Sequence, residues 1–337
     1  MARESIKYEL FSTKDLDQSL VQGLRDVVNK AGNSTAFHDI DFNLFISNYF
    51  LLQSFIIVAF KESQIQGFLI FFTKEKDNLI TSPYQLSLST YGGPVSLNDD
   101  NEIIIGLLKS LKKHCGRGSV YIKSGYKTPL EVYRKTGYKI KTIPTLLIPI
   151  DRPETEIWRN IDNRIKRNIK KAWKSNIEIF RDNGEHIDQF AEIYKNVCER
   201  KRLHYHGAEY YRDVCKIMQN DVVMSIFYAT MDTKIISAMS ILEFKDIINP
   251  WFGGTKTEFI ETGVGSLLYW EIIKYGSLKG YKLFDFLGLD IGPIAFYKKG
   301  FGGNEADVCH AGYTPMVIRI IRKLGRIVKE INVFRIL

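Results

Sequence analysis

Several features that define common classes of protein are missing from this sequence of 337 residues. Its four cysteines, Cys115, Cys198, Cys215 and Cys309, have no CxxC spacing and no metal spacing with histidine. This argues against a zinc site and predicts reduced thiols, and we predict no metal. No G-x-S-x-G sequence or other nucleophile motif occurs, which excludes the serine-hydrolase elbow.

Long apolar runs are absent as well. No stretch of about 18 uninterrupted apolar residues occurs, so the sequence predicts no membrane-spanning helix. The first residues, MARESIKYELFSTKD, lack the apolar core of a secretory signal. Together with the reduced thiols, this predicts a cytoplasmic protein.

Acidic residues are fewer than basic ones, 38 Asp and Glu against 47 Lys and Arg, which gives a net charge of +9. Such an excess is typical of proteins with an anionic partner, such as a nucleotide, RNA or a phosphorylated lipid surface. The alternative is that the basic residues are simply solvated on the protein surface. With 45% hydrophobic and 25% charged residues, the chain has the composition of a soluble globular protein, and its length predicts two domains.

The most informative feature that is present is an internal repeat. Three apolar runs (54–60, 67–73 and 85–91) precede Gly92-Gly93, and three similar runs (222–230, 235–244 and 247–252) precede Gly253-Gly254, 161 residues later. Each double glycine is followed by a predicted helix (101–114 and 263–279), a short strand and a Tyr-basic-Gly-aromatic cluster. These clusters are VYRKTGYK (132–139) and FYKKGFGG (296–303). The repeat predicts two tandem α/β units, each with a mixed, mainly antiparallel sheet flanked by helices.

The repeat divides the chain into three parts. Residues 1–150 are predicted to form the first unit and residues 151–315 the second, with a proline-rich crossing at 149–153. Residues 316–337 are predicted to form a separate basic amphipathic helix, with one acid among several Arg and Lys. Such a helix suits an anionic membrane surface, which would place the protein peripherally at the inner face. Docking of the helix on the protein itself is the equal alternative.

A basic helix is predicted over residues 155–175. Apolar residues recur about every four positions from Ile157 to Ala172 and predict a buried stripe. Like charges at helical spacing repel one another, so the other faces favour an anionic ligand such as a nucleotide diphosphate or an RNA backbone. A solvated face is the simpler alternative. Those faces carry Arg159, Arg164, Lys166, Arg167, Lys170, Lys171 and Lys174.

The sequence contains three motifs in this order: KRNIKKA (166–172), LFDFLG (283–288) and YKKGFGG (297–303). They are similar to the basic R-N-I-R-K-A helix, the F-D-F-x-G strand end and the F-K-x-x-F-G signature of one family. The chain thus resembles the Fem-type (FemABX) peptidyltransferases, tandem-domain relatives of the GNAT acyltransferase superfamily. The resemblance extends to Pro315 and corresponds to the short form of the family, without a helical hairpin. It implies an N-acyltransferase.

The resemblance implies a catalytic site in the second unit. Lys298 would stabilise the oxyanion of the tetrahedral intermediate, beside Tyr297. Asp285, at a predicted strand end, would accept a proton from the attacking amine or orient it, although it would equally cap a turn.

The resemblance also implies donor-binding residues. Arg167 and Lys171, with Lys170 between them, would hold the phosphates of the donor. Gly263 and Gly265 match the glycines with which acyl-CoA-binding relatives cradle a pyrophosphate. The polar first residue of that motif is replaced by Ile260, which weakens the case for coenzyme A and is compatible with aminoacyl-tRNA as the donor.

The acceptor is expected in the first unit, where the family builds its pocket from segments that here contain His38, Tyr91 and Gly92. His206 is a further candidate, since a histidine can act as a base near neutral pH. Short-form enzymes usually carry a lysine soon after the first segment, and IDFNLFISNYF has none. This argues against a UDP-linked muropeptide, so a lipid-linked or differently shaped envelope precursor is an alternative to a nucleotide-linked one.

Three functions are consistent with these patterns. The leading hypothesis is transfer of an aminoacyl group from tRNA to an amine of a cell-envelope precursor, as in peptidoglycan synthesis, by direct attack and without a bound cofactor. The second is N-acetyl transfer from acyl-CoA to a polysaccharide or small-molecule amine. The third is a non-catalytic RNA- or membrane-binding protein on the same scaffold.

Overall fold

The computed structural model describes residues 5–74, 91–116, 118–289, 292–318 and 320. These residues divide into two compact units, one with the residues up to Thr142 and those from Val308 onward, the other with Ile143–Asp307. The divisions fall at 142/143 and 307/308, and the boundaries at residues 150 and 315 stay predictions. Most of the strand predicted at 85–91 and nearly all of the tail predicted at 316–337 lie outside the described residues.

The first unit places two helices before a β-hairpin. Strands β1 to β4 form a sheet in that order, with antiparallel neighbours. β5 pairs antiparallel with the end of β12, where Cys309 lies opposite Ser124. The elements are β1 (Lys7–Ser12), α1 (Gln18–Lys30), α2 (Ile40–Tyr49), β2 (Leu52–Lys61), β3 (Gln64–Lys74), β4 (Val95–Ser96), α3 (Asn101–Cys115), β5 (Val120–Ser124), α4 (Leu130–Lys135), the start of β6 (Lys139–Pro149) and the end of β12 (Asn304–Tyr313).

Capping residues and apolar spacing determine the helices of this unit. Asp17 begins α1 by accepting a hydrogen bond from the backbone N–H of Leu20 at 2.7 Å. Asp100 begins α3 in the same way, through the N–H of Glu102 at 2.8 Å. One face of α3, which includes Leu107, packs against apolar residues of β2 and β3 and forms the core of the unit.

The second unit repeats the same order of elements. The strands β7 to β10 are antiparallel neighbours, β10 pairs parallel with β11, and β11 pairs antiparallel with the end of β6. The elements are α5 (Glu154–Asn160), α6 (Asn163–Trp173), β7 (Ile177–Asp182), α7 (Ile187–Lys201), α8 (Ala208–Ile217), β8 (Val223–Met231), β9 (Lys234–Phe244), β10 (Ile247–Thr255), α9 (Val264–Lys279), β11 (Leu283–Asp285) and α10 (Gly292–Lys299).

The basic helix predicted over 155–175 is two helices, and the single-helix prediction is wrong. The helix breaks at Ile161, where Asp162 accepts a hydrogen bond from the N–H of Ile165 at 2.8 Å and so begins α6. The backbone N–H of Asp162 donates to the carbonyl oxygen of Gly300 at 2.8 Å. The apolar stripe is nevertheless buried from Ile157 to Ala172, as its spacing predicts.

A buried carboxylate, Glu243, links several elements of the second unit. It is 6% exposed. One carboxylate oxygen accepts from Ser225 at 2.8 Å and Arg181 at 3.1 Å. The other accepts from the hydroxyl groups of Tyr275 at 2.8 Å and Tyr281 at 2.9 Å. Four donors thus compensate the charge where β9 ends.

Candidate active site

The site begins where two parallel strands separate. β10 and β11 pair only at Ile247 with Leu283 and Ile248 with Phe284. One residue further, the side-chain amide of Asn249 donates to the backbone carbonyl of Asp285 at 3.3 Å, which bridges the diverging strands. The carboxyl ends of parallel strands are where ligands bind in open α/β sheets.

Asp285 is buried at this point and organises the turn that follows β11. It is 1% exposed. Its Oδ1 accepts from the hydroxyl of Thr145 at 2.6 Å and from the N–H of Leu287 at 3.0 Å. The hydroxyl oxygen of Thr145 accepts in turn from the N–H of Gly288 at 2.9 Å. These contacts position the backbone of the turn, and the proton-accepting role predicted for Asp285 stays a prediction.

The turn holds the ammonium group of Lys298. Its Nζ donates to the carbonyl oxygens of Phe286 at 2.7 Å and Gly288 at 2.8 Å. Between them, Leu287 adopts a left-handed conformation with φ of 57°, which is costly for a leucine. Strained residues of this kind concentrate at functional sites. Both acceptors are backbone carbonyl oxygens, so these two contacts fix the position of the ammonium group.

Tyr297 lies on α10, directly before Lys298, and contacts the beginning of α9. Its hydroxyl is 3.0 Å from the hydroxyl of Ser266. Burial raises the pKa of Tyr297 to about 12, although the hydrogen bond with Ser266 and the charge of Arg164 both lower it. The phenol is therefore neutral at pH 7 and can donate a hydrogen bond. The structure thus brings Lys298, Tyr297 and Asp285 together through the turn after β11 and helix α10.

The two glycines predicted to bind the donor stand in different environments. Gly263 has φ of 81°, and a Cβ there would lie 2.3 Å from the carbonyl oxygen of Asn168 on α6. Gly265 lies in the first turn of α9, and its nearest neighbour would be the Thr255 hydroxyl at 3.4 Å, an ordinary contact. Gly263 is required by the packing of α6 on α9, whereas Gly265 is free for a role in binding.

We expect Gly263→Ala to destabilise the protein by about 1–3 kcal/mol, because of its positive φ and the clash with the α6 backbone. The matched variant, Gly265→Ala, should keep or raise stability, because alanine is the better helix former. If Gly265 contacts the donor, its variant raises the KM for the donor. Thermal unfolding and donor titration of both variants test this pair, and equal loss of stability in the two would contradict it.

The glycines of the YKKGFGG segment lie close to other parts of the second unit. A Cβ on Gly300 would meet the side chains of Asp162 and Ile165 at 2.7 Å. One on Gly302 would lie 2.8 Å from the carbonyl oxygen of Asn160. The segment therefore packs against the break between α5 and α6, which gives these glycines a structural role and fixes the end of the helix that carries Lys298.

The cations predicted to bind the donor are solvent-exposed. Arg167, Lys170 and Lys171 on α6 are all exposed. Among the residues that the structure describes, none of the three forms an ion pair. Arg164, by contrast, donates to the backbone carbonyl of Phe296 at 3.1 Å and so contacts α10. On α6, Arg164 is paired with Asp162 at 3.4 Å, whereas Arg167, Lys170 and Lys171 pair with no described carboxylate.

The residues predicted to bind the acceptor in the first unit lie close together. Nδ1 of His38 accepts from the backbone N–H of Thr35 at 3.0 Å. The hydroxyl of Thr35 also donates to the carbonyl oxygen of Tyr91 at 3.5 Å. The N–H of Gly92 donates to the carbonyl oxygen of Lys123 at 2.7 Å. Thr35 thus connects two segments far apart in sequence, and their role in acceptor binding stays a prediction.

His206 lies elsewhere, in the segment before α8 of the second unit. Its ring packs against those of His204 and Tyr210, with centroids 4.6 and 4.7 Å away. Burial, with a smaller effect of His204, lowers the pKa of His206 to about 4. It is therefore neutral and only weakly basic at pH 7, and no described contact joins it to Lys298 or Asp285.

Sequence reasoning missed Thr145, Asn249 and Ser266. Each is a single polar residue among apolar neighbours in a strand or helix and belongs to no motif. The sequence shows only that each is a polar side chain at a core position, which needs a hydrogen-bond partner. It does not show which partner, because the partners are distant in sequence.

The four thiols are poor nucleophiles. Burial raises the pKa of Cys215 to about 11 and that of Cys309 to about 12. It raises the pKa of Cys115 to about 12 and also raises that of Cys198. All four are therefore protonated at neutral pH, and the thiolate is the reactive form.

We expect the free energy of unfolding to fall as the pH rises from about 9 towards 12. Thiols in the unfolded chain ionise near 9.0, whereas Cys215 and Cys309 stay protonated to about 11 and 12 in the folded chain. Denaturant titrations at pH 8 and 10 measure the loss. The Cys215→Ala/Cys309→Ala variant should show a smaller decrease, and rapid labelling of either thiol in the folded protein at pH 8 would contradict the assignment.

Comparison with known proteins agrees with this geometry. Residues 159–299 match the family model of the acetyltransferase (GNAT) domain. The chain resembles the crystal structure of FemX with a TM-score of 0.72 and 13% identity, over 91% of this chain and 97% of that one. The segment is therefore a GNAT acyltransferase domain, and the chain has the tandem fold of the Fem type.

Two further structures share the fold. A tandem GNAT protein from the clavulanic acid biosynthesis pathway has a TM-score of 0.54 and 10% identity, over 92% of this chain and 98% of that one. An Agrobacterium fabrum domain described as part of a lysylphosphatidylglycerol synthetase has a TM-score of 0.56 and 12% identity, over 91% and 95%. No curated protein matches the sequence. The predictions of tandem GNAT-like units and of an acyltransferase are confirmed.

None of the helices in the described part of the chain has the length and apolar character needed to cross a membrane.

Proposed function

We propose that the protein transfers an aminoacyl group from aminoacyl-tRNA to an amine of a cell-envelope precursor in the cytoplasm. The observation that carries the proposal is the position of Lys298. Its ammonium is held by two carbonyl oxygens at the end of β11, next to the separation of β10 and β11. A fixed cation at such a place suits a negative charge that develops during the reaction.

In the proposed reaction the neutral amine of the acceptor attacks the carbonyl carbon of the aminoacyl ester. A C–N bond forms, and the carbonyl electron pair moves to the oxygen, whose negative charge Lys298 stabilises. Collapse of this intermediate breaks the ester C–O bond and releases the terminal ribose of the tRNA. The proton lost by the amine ends on that departing hydroxyl. Tyr297, neutral at pH 7, would donate a second hydrogen bond to the oxyanion or the ester.

Direct attack is the simplest route for these residues. Burial raises the pKa values of the cysteine thiols, which disfavours a thioester intermediate. The hydroxyl of Ser266, near the site, contacts the neutral phenol of Tyr297, which is not a general base at pH 7. Asp285 would act by positioning the turn that holds Lys298.

The donor assignment draws support from charge and from similarity. α6 presents Arg167, Lys170 and Lys171 to solvent, as an RNA backbone requires. FemX shares the fold, and so does a domain described as part of a lysylphosphatidylglycerol synthetase. The product in the name of that synthetase is a lipid that carries an amino acid. On this basis we extend the proposal to a lipid-linked acceptor, consistent with the missing lysine after His38.

A second candidate is N-acetyl transfer from acyl-CoA. The matching family model is described as an acetyltransferase domain. Gly265 lies in the first turn of α9, where a Cβ would make only ordinary contacts, and a helix N-terminus of this kind can bind a pyrophosphate. Against it, the position of the polar first residue of that motif is occupied by Ile260, which is 45% exposed.

One experiment separates the two donors. The purified protein is incubated with a mixture of radiolabelled aminoacyl-tRNAs or with radiolabelled acetyl-CoA, each with a lipid extract and a water-soluble extract of envelope precursors. We expect label to move from tRNA into the lipid extract. Transfer from acetyl-CoA alone would replace the proposal with the second candidate, and RNA binding without any transfer would favour a binding protein.

A further inference from the structure

The end of α6 presents an aromatic ring on a basic surface. Trp173, its last residue, is 48% exposed. Its ring stacks on that of Trp158, with centroids 5.5 Å apart and an angle of 23° between the planes. Trp158 contacts the buried ring of Trp270 at 4.9 Å. The core thus holds the Trp173 indole by one face.

Two cations lie near Trp173 at the end of α6. Lys170 lies three residues before Trp173 on neighbouring helix surface, and Lys174, the residue that caps the helix, lies one turn after Lys170. Both lysines are exposed, and neither forms an ion pair within the part of the chain that the structure describes. Arg167 and Lys171 continue the positive charge around the exposed side.

This combination favours one class of partner. Unpaired nucleotides offer flat bases at short distances from phosphates, and proteins bind them with aromatic platforms beside basic side chains. A tryptophan at a membrane interface reaches outward to the headgroups. Trp173 is instead held flat against Trp158, which leaves the outer face of its indole for a stacked ring.

We infer that Trp173, Lys170 and Lys174 form a platform for the single-stranded end of an RNA. One base stacks on Trp173, and the adjoining phosphates contact the two lysines. The inference rests on the proposed function for the identity of that RNA, an aminoacyl-tRNA, whose acceptor end is unpaired. It assigns a binding role to Trp173 and Lys174, which the transfer chemistry does not require.

Binding of a fluorescein-labelled, deacylated tRNA to the full chain tests the platform by fluorescence anisotropy at several salt concentrations. Trp173→Leu should lower the affinity roughly 5- to 100-fold without changing the salt dependence. Trp173→Phe should recover most of the affinity. Lys170→Ala/Lys174→Ala should reduce the slope of log affinity against log salt by about 1.4. Lys195→Ala, which removes an exposed lysine of α7, is the matched control and should change neither quantity.

The outcomes separate this inference from the proposed function. Unchanged tRNA affinity in the Trp173→Leu and double-lysine variants overturns the platform, even where transfer from charged tRNA proceeds. Trp173-dependent binding without transfer supports the platform and contradicts the proposed reaction. Binding to phosphatidylglycerol vesicles that depends on Trp173, with tRNA affinity unchanged, overturns the platform in favour of a lipid surface. Should Trp173→Leu fail to fold by circular dichroism, the double-lysine variant and Trp173→Phe decide the question.

Discussion

Replacing Lys298 with alanine should lower kcat by about 10²- to 10³-fold and leave the KM for the donor nearly unchanged. The ammonium is the one cation held at the turn after β11, as far as the described contacts show, and its charge is needed most when the oxyanion forms. Single-turnover measurements of aminoacyl transfer, with saturating donor, measure the rate of the chemical step directly.

The neighbouring residue supplies the control. Lys299 is exposed and pairs with Glu305 at 2.5 Å, so Lys299→Ala removes the same charge from the same helix away from the turn. It should keep turnover within about threefold. Lys298→Arg should retain more activity than Lys298→Ala, because the positive charge remains. A Lys298→Ala protein that is folded and turns over like Lys299→Ala would overturn the assigned role.

Replacing Glu243 with alanine should destabilise the second unit by about 3–5 kcal/mol. The change leaves the guanidinium of Arg181 and the hydroxyls of Tyr275 and Tyr281 without their common acceptor in a partly buried place. Removing one partner of a buried charge pair costs more than the pair itself contributes, because the other charge remains desolvated. Urea denaturation at neutral pH measures the difference.

A more exposed carboxylate gives the comparison. Glu271 pairs with Lys274 one helical turn away, at 3.1 Å, and the side chain of Glu271 is 25% exposed against 6% for that of Glu243. Glu271→Ala should cost less than about 1 kcal/mol. Tyr275→Phe, which removes a single donor to Glu243, should cost about 1 kcal/mol. Similar losses for Glu243→Ala and Glu271→Ala would show that the buried network contributes little.

The order of elements was readable from the sequence because apolar periodicity and turn residues act locally. The runs at 222–230, 235–244 and 247–252 correspond to β8, β9 and β10, and the helix predicted from Gly263 corresponds to α9. The break at Ile161 was not predicted, because the apolar stripe keeps its spacing across α5 and α6. It depends on Asp162 acting as a cap and on Gly300, which is distant in sequence.

The site was predictable only in its motif residues. Lys298, Tyr297 and Asp285 came from resemblance, and the structure places them around one turn. The contacts that position them were not readable, because Thr145 meets Asp285 across 140 residues of sequence and Ser266 meets Tyr297 across 31. Pairings of this kind depend on strand register and helix packing, which periodicity does not specify.

The position of β12 determines how the chain can be divided into fragments that fold. Its last residues, from Cys309 to Tyr313, are the partner of β5, so the first unit is assembled from two stretches of chain separated by the whole of the second. In a fragment that stops at residue 142, β5 would lack its partner strand, and its unpaired backbone groups would favour self-association. A circularly permuted gene that joins residues 308–337 ahead of residue 1 would restore that pairing in one continuous polypeptide.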